Sequence, residues 1–281
     1  MFVPPLKSSS IKGTHEINPK GLSYKVTQGF SLDSRRIEDL VREQRGIDLS
    51  VVVPVYNEEK NLPVLIPQIA QVLESLGESY EMIFVDDGST DESRKVLKEM
   101  VSPYPQIHIL GFKKNCGETA AGAAGIKEAR GEIVITIDAD LQNDPRDIPA
   151  MLEYLKEYDM VTGWRQKRDD PWIKQTTSKI ANKIRNWMSG ETIQDSGCTF
   201  RAYKRECLQN LKLYKGMHRF MPTLVKMEGF RVIEIPIAHH PRKFGVSKYT
   251  TWNRMWRAFV DLLAVKWMKS RHISYEIEER I

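Results

Sequence analysis

Apolar and polar positions change character sharply along this chain. Through residue 46 they follow no sustained period; the segment is polar, with Ser8-Ser9-Ser10 and scattered Gly and Pro, and Ser34 to Arg45 reads as a short helix. From Asp48 the pattern is ordered. Leu49–Val53 is a β-branched apolar run stopped by Pro54, which suits a buried parallel strand. Asn61 to Leu76 carries apolar residues at helical spacing and ends at Gly77. The alternation then repeats. Met82–Val85, Ile107–Leu110, Ile133–Ile137 and Met160–Gly163 read as strands. Helices are expected after Asp86-Asp87-Gly88-Ser89-Thr90 to about Met100, over Thr119–Ala129 closed by Gly131, and over Ile148–Tyr158. Strands alternating with helices of this length predict an α/β fold, a mostly parallel sheet flanked by helices on both faces.

After residue 164 the alternation breaks. Ile173–Met188 reads as a helix, and Thr199–Tyr203 and Val232–Ile237 as strands around a helical middle. Beyond Tyr249, Trp252, Met255, Trp256, Phe259, Leu263 and Trp267 recur on one helical face, flanked by Arg254, Arg257, Lys266 and Lys269. Such a basic amphipathic helix suits a membrane interface, or packing on its own domain or a partner. The expected organisation is an extension over 1–46, a main domain over 47–248 and a basic amphipathic tail over 249–281.

Composition narrows the classes. With 281 residues, 41% hydrophobic and 28% charged, the chain can bury a substantial core. Its net charge of +5 is unevenly spread: residues 241–272 hold eight Lys or Arg against Asp261, and 165–185 hold seven against Asp169 and Asp170. Such local excess suits phosphate, nucleic acid or a membrane surface, or a solvated face. Cys116, Cys198 and Cys207 form no CxxC pair, which argues against a disulfide framework or zinc site and for a reduced, cytoplasmic setting. The N-terminal MFVPPLKSSS lacks a signal-peptide core, and no apolar run approaches the ~20 residues that cross a bilayer. Membrane attachment is therefore expected to be peripheral, or through a small membrane-protein partner.

Candidate chemistry gathers where open parallel sheets bind ligands, beyond the carboxyl ends of the strands. The first strand ends in Pro54-Val55-Tyr56-Asn57-Glu58-Glu59, the second in Asp86-Asp87-Gly88-Ser89 and the fourth in Asp138-Ala139-Asp140-Leu141-Gln142. Carboxylates at neighbouring strand ends repel one another unless a cation or donor groups satisfy them. Asp138, Asp140 and Gln142 alternate, so an extended segment would aim all three one way. They are hard oxygen ligands suited to Mg²⁺ or Mn²⁺, whose charge would serve a departing nucleoside diphosphate. Capping of the following helices is the plainer reading of both acidic turns. Tyr56 suits stacking on a base or ordinary half-burial.

Taken in order, PVYNEEKNLP, IFVDDGSTDES, TAAGAAGIKEARG, IDADLQNDP and DSGCTFRAYKRE resemble the inverting glycosyltransferases of the GT-A (Rossmann-like) fold. More narrowly they resemble the polyprenyl-phosphate glycosyltransferases, dolichol-phosphate mannosyltransferase among them, from about Asp48 to Tyr249. The resemblance implies transfer of a hexose from a nucleotide sugar, of the GDP-mannose or UDP-glucose type, to a polyprenyl phosphate at the cytoplasmic membrane face. It implies that Pro54, Tyr56 and Glu58 line the nucleotide pocket, with Val85 and Asp87 beside the base. Asp138, Ala139, Asp140 and Gln142 would surround the diphosphate and metal. Arg242 and Lys248, from the motif R-x-x-G-x-S-K, would grip donor phosphate. Arg165, Lys174 and Ser178 match the acceptor-phosphate positions, although relatives often have Gly-Ser-Arg where this chain has Gly163-Trp164-Arg165 and Arg where it has Lys174. For a hydroxyl acceptor Asp195 is the matching base, with fixing its own loop the plainer role. His239 and His240 suit either a metal shell or structural bonding. A saccharide acceptor and a non-catalytic nucleotide-binding module stay open. Nucleic acid is disfavoured as a partner, since acidic strand ends repel a phosphate backbone. A nucleotidyltransferase is disfavoured too, since no Gly-rich phosphate loop follows the first strand.

Overall fold

The computed structural model describes residues 46–165, 193–242, 251–273 and 279. The helices expected over Ser34–Arg45 and Ile173–Met188 lie outside them. The described strands are β1 (Leu49–Val55), β2 (Tyr80–Asp86), β3 (Ile107–Gly111), β4 (Ile133–Thr136), β5 (Met160–Arg165), β6 (Arg201–Lys204) and β7 (Val232–Ile237). Between them run helices α1 (Leu62–Leu76), α2 (Ser93–Met100), α3 (Glu118–Glu128), α4 (Ile148–Tyr154), α5 (Glu206–Gln209) and α6 (Met221–Met227). Helix α7 (Thr251–Arg271) closes the described chain.

The seven strands form one sheet in the order β3-β2-β1-β4-β6-β5-β7. β3, β2, β1 and β4 are parallel, and β6 runs antiparallel between β4 and β5. The chain order therefore reverses beside β1, whose neighbours are β2 and β4, and such a switch point opens a crevice at the strands' carboxyl ends. The expected mostly parallel α/β sheet is what forms.

Two sequence features set this geometry. β1 runs past Pro54 to Val55 rather than stopping there. Val55 O accepts from Asp87 N and Val52 O from Ile137 N, so alternate residues bond to β2 and β4. The N–H that proline lacks falls on the β4 side, where pairing has ended at Val52. The small-residue helix α3 lies close on β1: a Cβ at Gly125 would stand 2.3 Å from Val52 Cγ1. Val52, Ile83, Val85, Ala121 and Val134 pack together in that layer. On the opposite face α1 buries Leu62, Leu65, Ile66, Ile69 and Leu73 in the main core. Leu262 and Val265 of α7 are buried with Met221, Leu224 and Val225 of α6.

Candidate active site

The first two strand ends consume their own acids. Asp86 is fully buried; it accepts from Ser89 N at 2.9 Å and from Arg94 Nε, while Arg94 Nη2 donates to Phe112 O at 2.7 Å. Burial opposes its charge, but the Ser89 and Arg94 donors hold its pKa below the usual value. Asp87 Oδ1 accepts from Cys116 N at 2.6 Å and Oδ2 from Gly117 N at 2.9 Å. The carboxylate expected beside the base thus anchors the N-terminus of α3. Gly88, at φ +69°, turns the chain where a Cβ would meet the Lys114 backbone at 2.5 Å. Glu58 N donates to Ser93 Oγ at 2.7 Å, and the Glu58 carboxylate accepts from Asn61 Nδ2. Asn57 takes a positive φ of 56° and accepts from Thr90 N at 2.7 Å, tying the first strand end to the second. Pro54 and Tyr56 are half-buried at this rim. Val85, expected beside the base, has its side chain fully buried beneath α3.

The fourth strand end is different. Residues 138–142 are not the extended segment that the alternation implied. Leu141 sits at φ +60°, unusual for a branched residue, and Gln142 N bonds back to Asp140 Oδ1 at 3.1 Å. Burial keeps the alternation all the same. Ala139 and Leu141 enter the core while Asp138, Asp140 and Gln142 stay half-buried on the other side. Asp138 accepts from the Thr199 hydroxyl. Burial first, then the charges of Glu118 and Asp140, push its carboxyl up to about 7, against the pull of Thr199 and Arg165. Asp140 Oδ2 lies 2.8 Å from Arg242 Nη2. Gln142 Nε2 donates to His240 O at 3.4 Å, and His240 N to Gln142 O at 2.8 Å. Imidazole Nε2 of His240 stands 3.1 Å from Asp144, and Asn143 bridges His239 through the backbone. Both histidines thus hold the loop beside the pair of aspartates.

Two half-buried carboxylates that repel each other suit a divalent cation. Among the described residues no three His, Cys, Asp or Glu side chains gather as a metal cage. Mg²⁺ uses only one or two carboxylates and fills its shell with water and phosphate, so Asp138, Asp140 and the Gln142 amide fit it.

On the far side of β4, Arg165 grips Asp195 with two bonds, Nε at 2.6 Å and Nη2 at 2.9 Å. Asp195 is buried. Burial works against the Arg165 charge, but Asp195 offsets it and raises the guanidinium's pKa. Glu234 on β7 accepts from Gln194 N at 2.8 Å and Asp195 N at 2.7 Å, fixing the loop that carries the pair. Lys174, Ser178 and Lys248 lie outside the described residues. Glu118, Thr199, His218 and Glu234 were missed in the sequence. The fold alone brings them to Asp138 and Asp195, although an acid opening α3 was a visible signal.

The sequence and the fold have known counterparts. The model of glycosyl transferase family 2 matches residues 50–212. A curated dodecaprenyl-phosphate galacturonate synthase from Rhizobium johnstonii is 37% identical over 227 residues, 79% of this chain and 67% of that protein. Among solved structures, a glucosyl-3-phosphoglycerate synthase from Mycobacterium tuberculosis in complex with Mg²⁺ and uridine-diphosphate superposes with a TM-score of 0.60 at 17% identity, covering 86% of this chain and 84% of that one. A mannosyltransferase from Pyrobaculum calidifontis in complex with GDP-Man and Mn²⁺ gives 0.51 at 22% identity, covering 82% and 66%.

Proposed function

Because the chain belongs to glycosyl transferase family 2, we propose that it moves a hexose from a nucleotide sugar to a polyprenyl phosphate, inverting the anomeric carbon. The relative at 37% identity is a dodecaprenyl-phosphate galacturonate synthase, which supports a lipid-phosphate acceptor. One observation carries the reading: Asp138 and Asp140 meet at the switch point of the sheet, opposite Arg242.

Asp138, Asp140 and Gln142 would hold Mg²⁺ or Mn²⁺, the ions present in the nucleotide complexes of the two structural neighbours. The cation supplies charge neutralisation to the leaving diphosphate. Arg242, with Lys248, holds diphosphate oxygens through charge-assisted bonds. The rims at Pro54, Tyr56 and Glu58 receive the nucleotide. Arg165, with Lys174 and Ser178, receives the acceptor phosphate. An oxygen of that phosphate attacks the anomeric carbon as the bond to the diphosphate breaks on the opposite face.

The acceptor is already ionised near neutral pH, so the step needs no strong base. Asp195 fits that chemistry, since both of its oxygens are engaged by Arg165. It aims the guanidinium. A saccharide hydroxyl acceptor would instead need a carboxylate oxygen turned toward the proton.

Helix α7 supports docking on an anionic membrane. Leu262 and Val265 are buried inward, while Phe259, Leu263 and Trp267 on its other side are 41%, 45% and 65% exposed. Lys266, Lys269 and Arg271 accompany them. Among the described residues no helix is long and apolar enough to cross a membrane, so the reading is of a helix lying in the interface.

The test follows label from UDP-glucose and GDP-mannose into polyprenyl phosphate or into soluble saccharides, with sedimentation on anionic vesicles alongside. Lipid-linked product and vesicle binding weakened in Trp267→Glu are expected. Label passing only to soluble saccharides would sink the proposal.

A further inference from the structure

The segment that follows β7 lies antiparallel against the turn after β4, in one register. His239 stands opposite Asn143, His240 opposite Gln142 and Arg242 opposite Asp140. His240 N donates to Gln142 O at 2.8 Å, and Ala238 N to Asp147 Oδ2 at 2.8 Å. The fold itself thus fastens the acidic turn to the segment that carries Arg242.

Two contacts give this fastening a direction. Gln142 Nε2 donates to His240 O at 3.4 Å, and the Gln142 side chain makes no other bond among the described residues, so Oε1 is the end left for a ligand. Turned over, the amide would aim its NH₂ at a cation and set its oxygen against the His240 carbonyl. The His240 imidazole in turn meets Asp144 Oδ2 through Nε2 at 3.1 Å. Asp144 is only 9% exposed and is itself fixed. It accepts from Arg146 N at 3.0 Å and from Arg146 Nε at 2.9 Å, at the head of the short turn that leads into α4. Ile148 and Met151 of α4 are fully buried in the main core, so the anchor is rigid.

We propose that His240 is a positioning residue for the divalent cation: anchored on Asp144, it holds its own carbonyl where the Gln142 amide must present oxygen to the metal. The inference rests on the reading that Asp138, Asp140 and Gln142 hold Mg²⁺ or Mn²⁺. Groups one shell out from a metal orient its ligands, and their loss costs roughly 10- to 100-fold in affinity. A neutral amide is a weaker ligand than a carboxylate, which places the loss at the lower end. The imidazole acts through Gln142; direct ligation by His240 is the alternative that the experiment separates.

The full-length Arg242→Ala chain, in which the guanidinium no longer competes for Asp140, is titrated with Mn²⁺ alone, and free Mn²⁺ is read by electron paramagnetic resonance. Adding His240→Ala should weaken Mn²⁺ binding about tenfold. In a chain that also carries Gln142→Ala, the same substitution should change it by less than about twofold, because the ligand it positions is gone. His240→Gln, whose amide N–H can still reach Asp144, should recover part of the loss. Melting temperatures of the metal-free proteins read the structural cost of each change separately. Unchanged Mn²⁺ affinity in His240→Ala would overturn the assignment and leave the metal site standing. So would an equal loss with and without the Gln142 side chain, the result that direct ligation gives. Mn²⁺ binding that is absent, or indifferent to Asp140→Ala, would overturn the metal reading as well.

Discussion

Arg242 and Asp140 stand 2.8 Å apart, yet their proposed tasks separate them, one on the diphosphate and the other on the metal. A cation arriving alone must displace a guanidinium; a cation arriving with the nucleotide finds the guanidinium drawn to phosphate. At 2.8 Å two unit charges attract by roughly 6 kcal/mol at an effective dielectric of about 20. Desolvation and screening remove most of that, because the side chains are 31% and 14% exposed. A net value of about 1–2 kcal/mol remains, in the range of partly buried charge-assisted bonds. Arg242→Ala should therefore tighten Mn²⁺ binding in the absence of nucleotide by roughly 5- to 30-fold, while weakening nucleoside diphosphate binding. Arg242→Lys keeps the charge without the planar fork and should fall between. Because coupling is reciprocal, the enhancement of metal affinity by nucleotide should shrink in Arg242→Ala by a comparable factor. Electron paramagnetic resonance of free Mn²⁺, titrated with and without UDP or GDP, reads these quantities without turnover. Unchanged or weaker Mn²⁺ binding by Arg242→Ala in the absence of nucleotide would refute the competition.

Other positions give independent tests. Asp140→Ala should abolish the Mn²⁺-dependent rise in melting temperature, and a retained rise would remove Asp140 from the metal site. Gly125→Ala puts a methyl 2.3 Å from Val52 Cγ1. Overpacking of about 1–3 kcal/mol, partly offset by better helix propensity, should lower the urea midpoint, and a raised midpoint would contradict the close approach of α3 to β1. Asp159 ties the start of β5 to Lys204 Nζ at 2.8 Å and Arg231 N at 2.9 Å. Burial raises its pKa, but these donors outweigh burial and hold it at about 2, against an ordinary 3.8. A depressed carboxylate contributes stability above its unfolded pKa and loses it as pH falls through the folded one. The advantage of wild type over Asp159→Asn, about 1–2 kcal/mol after screening by the exposed cations, should fade between about pH 4 and pH 2. Parallel acid-unfolding curves for the two proteins would contradict it.

The sheet was legible because its evidence is local. Leu49–Val53, Met82–Val85 and Ile133–Ile137 are apolar runs whose period and length suffice, and small shifts at Val55, Thr136 and Tyr154 leave the topology unchanged. Pro54 misled as a terminator because its cost depends on which neighbour its missing N–H would face, and that is a property of the sheet. The antiparallel place of β6 between β4 and β5 was equally hidden, since a four-residue strand carries no record of its direction. The alternation at Asp138, Asp140 and Gln142 pointed to one common side, and burial agrees. Its cause is a turn through Leu141 rather than a pleat.

The acids at the strand ends show where sequence reasoning reaches its limit. Asp86, Asp87, Asp138 and Asp140 sit in similar local settings, each just beyond a β-branched run. Their fates diverge through distant partners. Asp87 is bonded by backbone donors 29 and 30 residues away, Asp140 meets Arg242 102 residues on, and Asp138 feels Glu118 from another helix. A carboxylate held by two backbone N–H groups is satisfied as it stands and needs no metal. Two carboxylates that repel each other, with the Arg242 guanidinium paired to one of them, suit completion by a cation and a diphosphate together. Asp195 belongs to neither class. Both its oxygens are fixed on Arg165, and its loop is fixed by Glu234, so in the proposed function its charge would orient that guanidinium for an anionic acceptor. Motif order gathered the candidate residues; their long-range pairing separates those that the fold already satisfies from those that the proposed function assigns to a cofactor or to aiming another side chain.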